Sequence, residues 1–197
     1  MTYALAGVEL NIRNAMENNE KEKIAWKPLK KEVVFSDPFG RSIEKTTFQL
    51  PNGKISDYYL RHVGSTVVVL AVTDDKKIIL ARQYRPGKDK IINELPGGII
   101  KDGQTPEEAA KAELLEETGF VGTLHFLCPT LRDGYSDWVS YCFVAEHCTR
   151  VAPQNLDQEE FIEINLVSLE EFKVLVRSGQ MTDIDAAMLG LDYLKWL

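Results

Sequence analysis

The apolar positions of this chain change period along its length, and each period predicts a different element. Thr66 to Val72 is a continuous, largely β-branched run, the pattern of a strand buried on both faces. Thr73-Asp74-Asp75-Lys76 turns it into a partner strand, Lys77 to Arg82, and Ile91 to Leu95 reads as a third. Upstream, Glu32 to Ser36, Ser42 to Leu50 and Tyr58 to Val63 read as strands punctuated by Asp37-Pro38-Phe39-Gly40 and Pro51-Asn52-Gly53; the Asn-Gly pair between apolar runs is a hairpin signal. Downstream, Gly122 to Leu127 and Trp138 to Glu146 alternate as strands do, joined by a polar connection from Pro129 to Asp137, and Ile162 to Val167 is the last strand. Ser168 with Glu171 forms a capping box that opens a helix to about Ser178, stopped by Gly179. Asp183 is expected to cap a final helix whose buried stripe is Ile184, Ala187, Met188, Leu191 and Leu194. Val8 to Glu17 predicts a short helix, and Asn18 to Lys31 is polar and predicts irregular structure. Strands with interspersed helices on a mixed sheet specify an α/β domain built as an α/β/α sandwich.

One stretch carries most of the candidate chemistry. A glycine-rich loop, Gly97 to Gln104, runs into an acidic helix ending near Thr118. Thr105 and Glu108 form a capping box, Pro106 falls at the first helical position where its missing N–H costs nothing, and Gly119 stands where a left-handed C-cap belongs. Glu113, Glu116 and Glu117 follow i, i+3, i+4 spacing and share one helix face, while Ala109, Ala110 and Leu114 can face a core. Like charges at that spacing repel, and near a helix C-terminus the macrodipole disfavours them further. A solvated acidic surface is one reading of such a helix. The other is a site for a hard divalent cation, which takes clustered oxygen ligands and removes the repulsion.

Composition narrows the partners. The 197 residues are 44% hydrophobic and 27% charged, ordinary for a globular domain with one good core. A net charge of −7 argues against nucleic acid, which requires a basic footprint, but allows a small phosphorylated ligand if a cation bridges the negative groups. Cys128, Cys142 and Cys148 are odd in number and have no CxxC spacing, so a disulfide framework or zinc site is not expected and reduced thiols in a cytoplasmic protein are the simplest account. No apolar run reaches the ~20 residues of a membrane span, and the N-terminus does not resemble a signal peptide.

The stretch from Gly98 to Phe120 closely resembles the Nudix box: Gly, five residues, Glu, seven residues, then Arg-Glu-apolar-any-Glu-Glu-any-Gly-apolar. Gly98, Glu113, Leu114, Glu116, Glu117, Gly119 and Phe120 match in register. Glu94-Leu95-Pro96-Gly97-Gly98, Gln83-Tyr84-Arg85, the strand-rich N-terminal part and the Gly179 to Asp185 lead into the last helix resemble the ADP-ribose pyrophosphatase branch. The resemblance implies a Nudix-type α/β/α sandwich over residues 58–197. Residues 1–57, read as a helix and antiparallel strands, are expected to be a dimerisation or lid element in preference to a separate binding module, since their exposed strand edges need cover and a second subunit, making a homodimer, would give it. It implies Mg²⁺, or Mn²⁺, held by Glu113 and Glu117 with help from Glu116 and the Gly97 carbonyl. It implies Glu160 as general base, with Glu159 as runner-up, Arg85 on the phosphates or terminal ribose, and Glu94 near the cleft. The expected reaction is attack of water on the diphosphate linkage of a nucleoside diphosphate sugar: ADP-ribose first, GDP-mannose or another sugar nucleotide as alternatives.

The box departs at two positions, where Gln104 replaces its first Glu and Ala112 its Arg. Lys111 points about 100° away around the helix and is a poor substitute. In the stretch Leu131 to Trp138, Asp133 replaces a proline of the branch and Trp138 stands where a Glu is common, so the indole either stacks on a base or ribose or packs against the sheet. A non-catalytic sensor that binds a nucleotide sugar is therefore the competing expectation.

Overall fold

A computed structural model describes residues 23–197. The expected Val8 to Glu17 helix lies outside the described residues. The chain divides into two compact units, one ending at Leu60 and the other running from Arg61 to Leu197.

In the first unit β1 (Lys27–Ser36), β2 (Ser42–Gln49) and β3 (Ile55–His62) form a sheet in that order. β1 and β2 pair antiparallel from Lys27↔Gln49 to Ser36↔Ser42, with two register slips. Both turns close as their residues dictate: Asp37 Oδ1 accepts from the Phe39 and Arg41 amides at 2.9 and 2.8 Å, and Asn52 Oδ1 accepts from Lys54 at 3.0 Å. Lys27 to Lys31, expected to be irregular, are strand. Backbone pairing to Thr46, Thr47 and Phe48 and the stacking of Trp26 on Phe48 and Tyr58 (centroids 5.7 and 4.6 Å apart) hold this segment, although its polar side chains show no apolar alternation.

The second unit contains β4 (Ser65–Val72), β5 (Lys77–Arg85), β6 (Lys90–Glu94), α1 (Pro106–Thr118), β7 (Phe120–Leu131), β8 (Val139–Arg150), β9 (Ile162–Ser168), α2 (Leu169–Ser178) and α3 (Ile184–Tyr193). Its sheet runs β6-β5-β4-β8-β7, with β9 also on β5. β4 and β8 are parallel and the other pairs antiparallel, so the sheet is mixed.

The period of two in β4 builds the layers. Val67, Val69 and Ala71 join Ile79, Phe143 and Ala145 beneath Ala109, Ala110 and Leu114 of α1. Val68, Leu70 and Val72 join Ile78, Leu80 and Val144 on the opposite face, beneath Phe172 and Val176 of α2 and Ala187 and Leu191 of α3. Two cores on one sheet give the expected α/β/α sandwich, each fully buried Leu, Ile or Val contributing about 1.5–3 kcal/mol.

Two elements differ from expectation. β7 continues through Pro129 to Leu131, which pair with Tyr141 and Val139; as the last strand of the sheet it tolerates a residue with no N–H to donate. The buried stripe of α3 is Ala186, Ala187, Gly190 and Leu191, while Met188 is exposed, because the small residues bring the helix close to Leu70 of β4. Asp183 precedes α3 in a left-handed conformation and makes no side-chain cap; its carboxylate serves another partner.

Both capping boxes form, and both of those helices end on left-handed glycines, Gly119 (φ 73°) and Gly179 (φ 68°). A Cβ on Gly119 would lie 2.1 Å from the Ala152 carbonyl oxygen, whereas one on Gly179 meets nothing within 4 Å. Gly179→Ala should therefore cost about 1 kcal/mol of backbone strain and Gly119→Ala well above it, about 2–3 kcal/mol. Urea unfolding of the two variants checks this; equal losses would mean that the loop at Ala152 yields.

Candidate active site

The site begins with a strand edge. Pro96 and Gly98 accept from Val69 and Val67 of β4, both at 2.9 Å, and Ile100 donates to Ser65 at 3.0 Å. The glycine segment is thereby laid along β4, and the alternation leaves Gly97 facing the other way. Its amide donates to Glu117 Oε2 at 3.0 Å. A Cβ on Gly98 would sit 2.5 Å from the Glu113 carboxylate; glycine is there because the carboxylate occupies that space.

Glu117 is 5% exposed, Glu113 and Glu116 half-buried. Burial first, and the neighbouring Glu116 second, push the Glu113 carboxyl up to about 7; Lys101 opposes, and Glu160 and Asp157 add to the rise. Burial pushes Glu117 up to about 8, against the Gly97 hydrogen bond, with Glu113 and Glu160 raising it and Arg85 lowering it. The acidic face is a carboxylate pair held where neither group is comfortable as an anion. Lys111 turns away to Glu107 at 2.6 Å, as its helical phase requires.

The helix C-terminus carries the second acidic loop with it. Asn155 donates to the Glu116 carbonyl at 2.9 Å, Gln154 Nε2 to the Glu117 carbonyl at 2.6 Å, and the Val151 amide to Gly119 at 2.9 Å. These donors satisfy carbonyls that a helix end leaves open and anchor the segment leading to Asp157 and Glu160. A tight turn joins those two: each amide donates to the other residue, Asp157 to Glu160 Oε2 and Glu160 to the Asp157 carbonyl, both at 3.0 Å. Glu160 is the loop acid whose charge reaches both helix carboxylates; Glu159 is exposed beside it.

Arg85 and Glu94 meet across β5 and β6. Glu94 is 4% exposed; its Oε2 accepts from Arg85 Nε and Nη2 at 2.7 Å and from Gln83 at 3.0 Å, and its Oε1 lies 3.0 Å from Thr182 Oγ1. Trp138 is half-buried. Its indole N–H donates to Thr66 at 2.9 Å and the Arg132 guanidinium covers its ring at 5.0 Å. Arg132 also binds Asp185 at 2.8 Å and Asp183 at 3.0 Å. Leu131, Arg132, Trp138 and the Met181–Asp185 segment line a pocket of about 500 Å³. Arg132, Thr182 and Asp183 thus belong to a network that no local motif announced, since its members are about fifty to ninety residues apart. Lys101 and Asp157 were equally silent: the first sits in an exposed loop, the second in a polar run.

Among the described residues no three His, Cys, Asp or Glu side chains enclose an ion as they stand. The donors nevertheless fit a hard divalent cation: two carboxyls raised by burial and by neighbouring negative charge, and a third half-buried carboxylate on the same helix face.

A three-layered α/β/α fold with acidic residues of one helix set against a glycine strand edge defines the class. The family profile described as NUDIX domain matches residues 62–187, and the chain belongs to the Nudix family. It is 35% identical over 179 residues to ADP-ribose pyrophosphatase of Bacillus subtilis (strain 168), covering 86% of this chain and 92% of that one. It is 30% identical over 175 residues to a Bacillus methanolicus protein named methanol dehydrogenase activator, with the same coverages. The crystal structure of an ADP compounds hydrolase shares the fold, with a TM-score of 0.74 at 24% identity over 86% of this chain and 95% of that one. Nudix hydrolases use divalent metal ions. No described helix is long and apolar enough to cross a membrane.

The raised carboxyls make stability depend on pH, and on a cation if one binds them. A carboxyl raised from 4.5 to about 8 in the folded state stabilises the fold while protonated; that contribution is complete below pH 4.5 and is lost as pH rises through about 8. In EDTA the melting temperature should fall across that window, and Mg²⁺ should raise it more at pH 8 than at pH 6. Glu117→Gln should flatten both trends in thermal unfolding. An equal Mg²⁺ effect at the two pH values would place the buried charge elsewhere.

Proposed function

We propose that this chain is a divalent-cation-dependent pyrophosphohydrolase that cleaves the diphosphate linkage of a nucleoside diphosphate sugar, with ADP-ribose as the foremost substrate and AMP and ribose 5-phosphate as products. The carrying observation is the Glu113–Glu117 pair packed against Gly97 and Gly98, carboxylates that need an external cation. The relatives named ADP-ribose pyrophosphatase support the choice of substrate. Glu113 and Glu117, with Glu116 and the Gly97 carbonyl, would hold Mg²⁺ or Mn²⁺. Bound there, the cation supplies Lewis-acid stabilisation of phosphoryl charge and acidifies water.

The chain's own residues do the rest. Glu160 takes the proton of the attacking water: it lies in the field of the helix pair, and its loop is fastened to the end of α1. Glu159 is the runner-up. Arg85 presents its guanidinium to the phosphates from the rim formed with Glu94. Trp138 lines the pocket that takes the sugar or base end of the substrate. GDP-mannose and other sugar nucleotides are the alternative substrates. The competing reading, a non-catalytic nucleotide-sugar sensor, draws on the relative named as an activator and on the loss of the box Glu and Arg at Gln104 and Ala112.

A panel of nucleotide sugars with Mg²⁺ or Mn²⁺, followed by release of AMP or GMP, tests the reading. ADP-ribose should be cleaved fastest, and Glu117→Gln should lower kcat by at least about 10³-fold with the fold intact, the scale expected for loss of a group that acts only in the transition state. Tight binding of one nucleotide without turnover would favour the sensor.

The first unit supports a homodimer, and the three unpaired cysteines support a cytoplasmic setting. Every side chain of β1 is exposed, including Val33 (60%) and Phe35 (58%), and such a strand requires cover. A second copy is the proposed cover. Sedimentation should give a dimer, and Phe35→Asp should shift it toward monomer; an unshifted dimer would put the interface elsewhere.

A further inference from the structure

Thr182 stands between two carboxyl groups. Its Oγ1 lies 3.0 Å from Glu94 Oε1 and 2.7 Å from Asp183 Oδ2. A hydroxyl has one proton to donate, so it can serve one carboxylate, and the second contact requires a proton on the other carboxyl. Burial raises the Asp183 carboxyl, whose side chain is 14% exposed, against the Thr182 hydroxyl and Arg132 at 3.0 Å, both of which lower it. The Thr182 hydroxyl lies within donating distance of Glu94, on the side of that carboxyl away from Arg85.

This contact completes the holding of Glu94. Arg85 and Gln83 engage Oε2, and Thr182 engages Oε1, so the carboxylate plane is fixed from both ends. Arg85 in turn donates from Nε to Glu94 Oε2 and holds Nη2 2.7 Å from the same oxygen, a two-point contact that sets the guanidinium against Glu94. The backbone bridge between Asn93 and Met181 keeps Thr182 beside Glu94, and Asn165 braces Asn93 at 3.0 Å. Thr182 comes from the segment between α2 and α3, 88 residues along the chain from Glu94.

We infer that Thr182 is a positioning residue for substrate binding, which clamps Glu94 and through it orients Arg85 toward the diphosphate. This rests on the reading of Arg85 as a diphosphate ligand. Removing the hydroxyl leaves Glu94 free to turn, so Arg85 no longer meets the ligand in one orientation; the machinery on α1 is untouched. The expected signature is a rise in KM with kcat preserved.

The test is steady-state hydrolysis of ADP-ribose with Mg²⁺ by the full chain and its Thr182→Val, Thr182→Ser, Arg85→Gln and Thr182→Val/Arg85→Gln variants. Thr182→Val should raise KM about tenfold, the equivalent of one hydrogen bond to a charged group, with kcat within about twofold. Thr182→Ser should restore KM, and the double variant should be no worse than Arg85→Gln alone. If Thr182→Val does not fold, Glu94→Gln, of the same shape, should show the same rise in KM. Raised KM in Arg85→Gln with an unchanged KM in Thr182→Val, additive effects in the double variant, or a loss confined to kcat would overturn the inference while leaving the site reading intact. An unchanged KM in Arg85→Gln would overturn the Arg85 assignment, and the inference with it.

Discussion

The structure depends on one uncomfortable burial, that of the Glu117 carboxyl beneath the glycine segment. A carboxylate taken out of water requires donors or a cation, and this one receives a single amide hydrogen bond, from Gly97. That bond exists because Pro96 and Gly98 are already committed to β4, which turns Gly97 toward the helix. The helix is held in turn by Ala109, Ala110 and Leu114 against the odd-numbered side of β4. Strand, loop and helix therefore fix one another, and the element that stays unbalanced is charge.

The same helix end organises the rest of the cleft. Its last carbonyls are satisfied by the segment around Gln154 and Asn155, so the loop carrying Asp157 and Glu160 is delivered to the carboxyls by ordinary capping needs. The departures at the box leave the loop closed. Gln104 Oε1 accepts from the Lys101 amide at 3.2 Å and the Gln104 amide returns to the Lys101 carbonyl at 3.0 Å, closing the loop without the usual acid. Among the described residues no buried side-chain polar atom lacks a partner. Losing an acid and a base together removes a pair without stranding either. The Lys101 charge favours the ionised form of Glu113.

Much of this was legible in the residues because it is local. Thr105, Pro106, Glu108 and Gly119 specify the helix by themselves, and the β-branched run of β4 declares a strand buried on both faces. The carboxylates follow from helical phase alone. What escaped was decided by tertiary contact. Lys27 to Lys31 look like a polar linker, and only partners on β2 make them strand. Pro129 looks like a turn until β7 is known to be an edge. Asp183 has the chemistry of a helix cap, but Arg132 and Thr182 compete for its carboxyl more strongly than the α3 amides do. Met188 fits the apolar stripe by period, yet the helix rotates so that Gly190 can approach Leu70.

The central claim is that Glu113 and Glu117 hold protons which a divalent cation must displace. Calorimetric titration of the protein with Mg²⁺ at pH 7, in buffers of different ionisation enthalpy, counts the protons released. With the two carboxyls at about 7 and about 8, the account predicts release of roughly one proton or slightly more per site filled, declining as the pH is raised past about 9. Binding with no proton release at pH 7 would show that the pair is already ionised and would contradict the account.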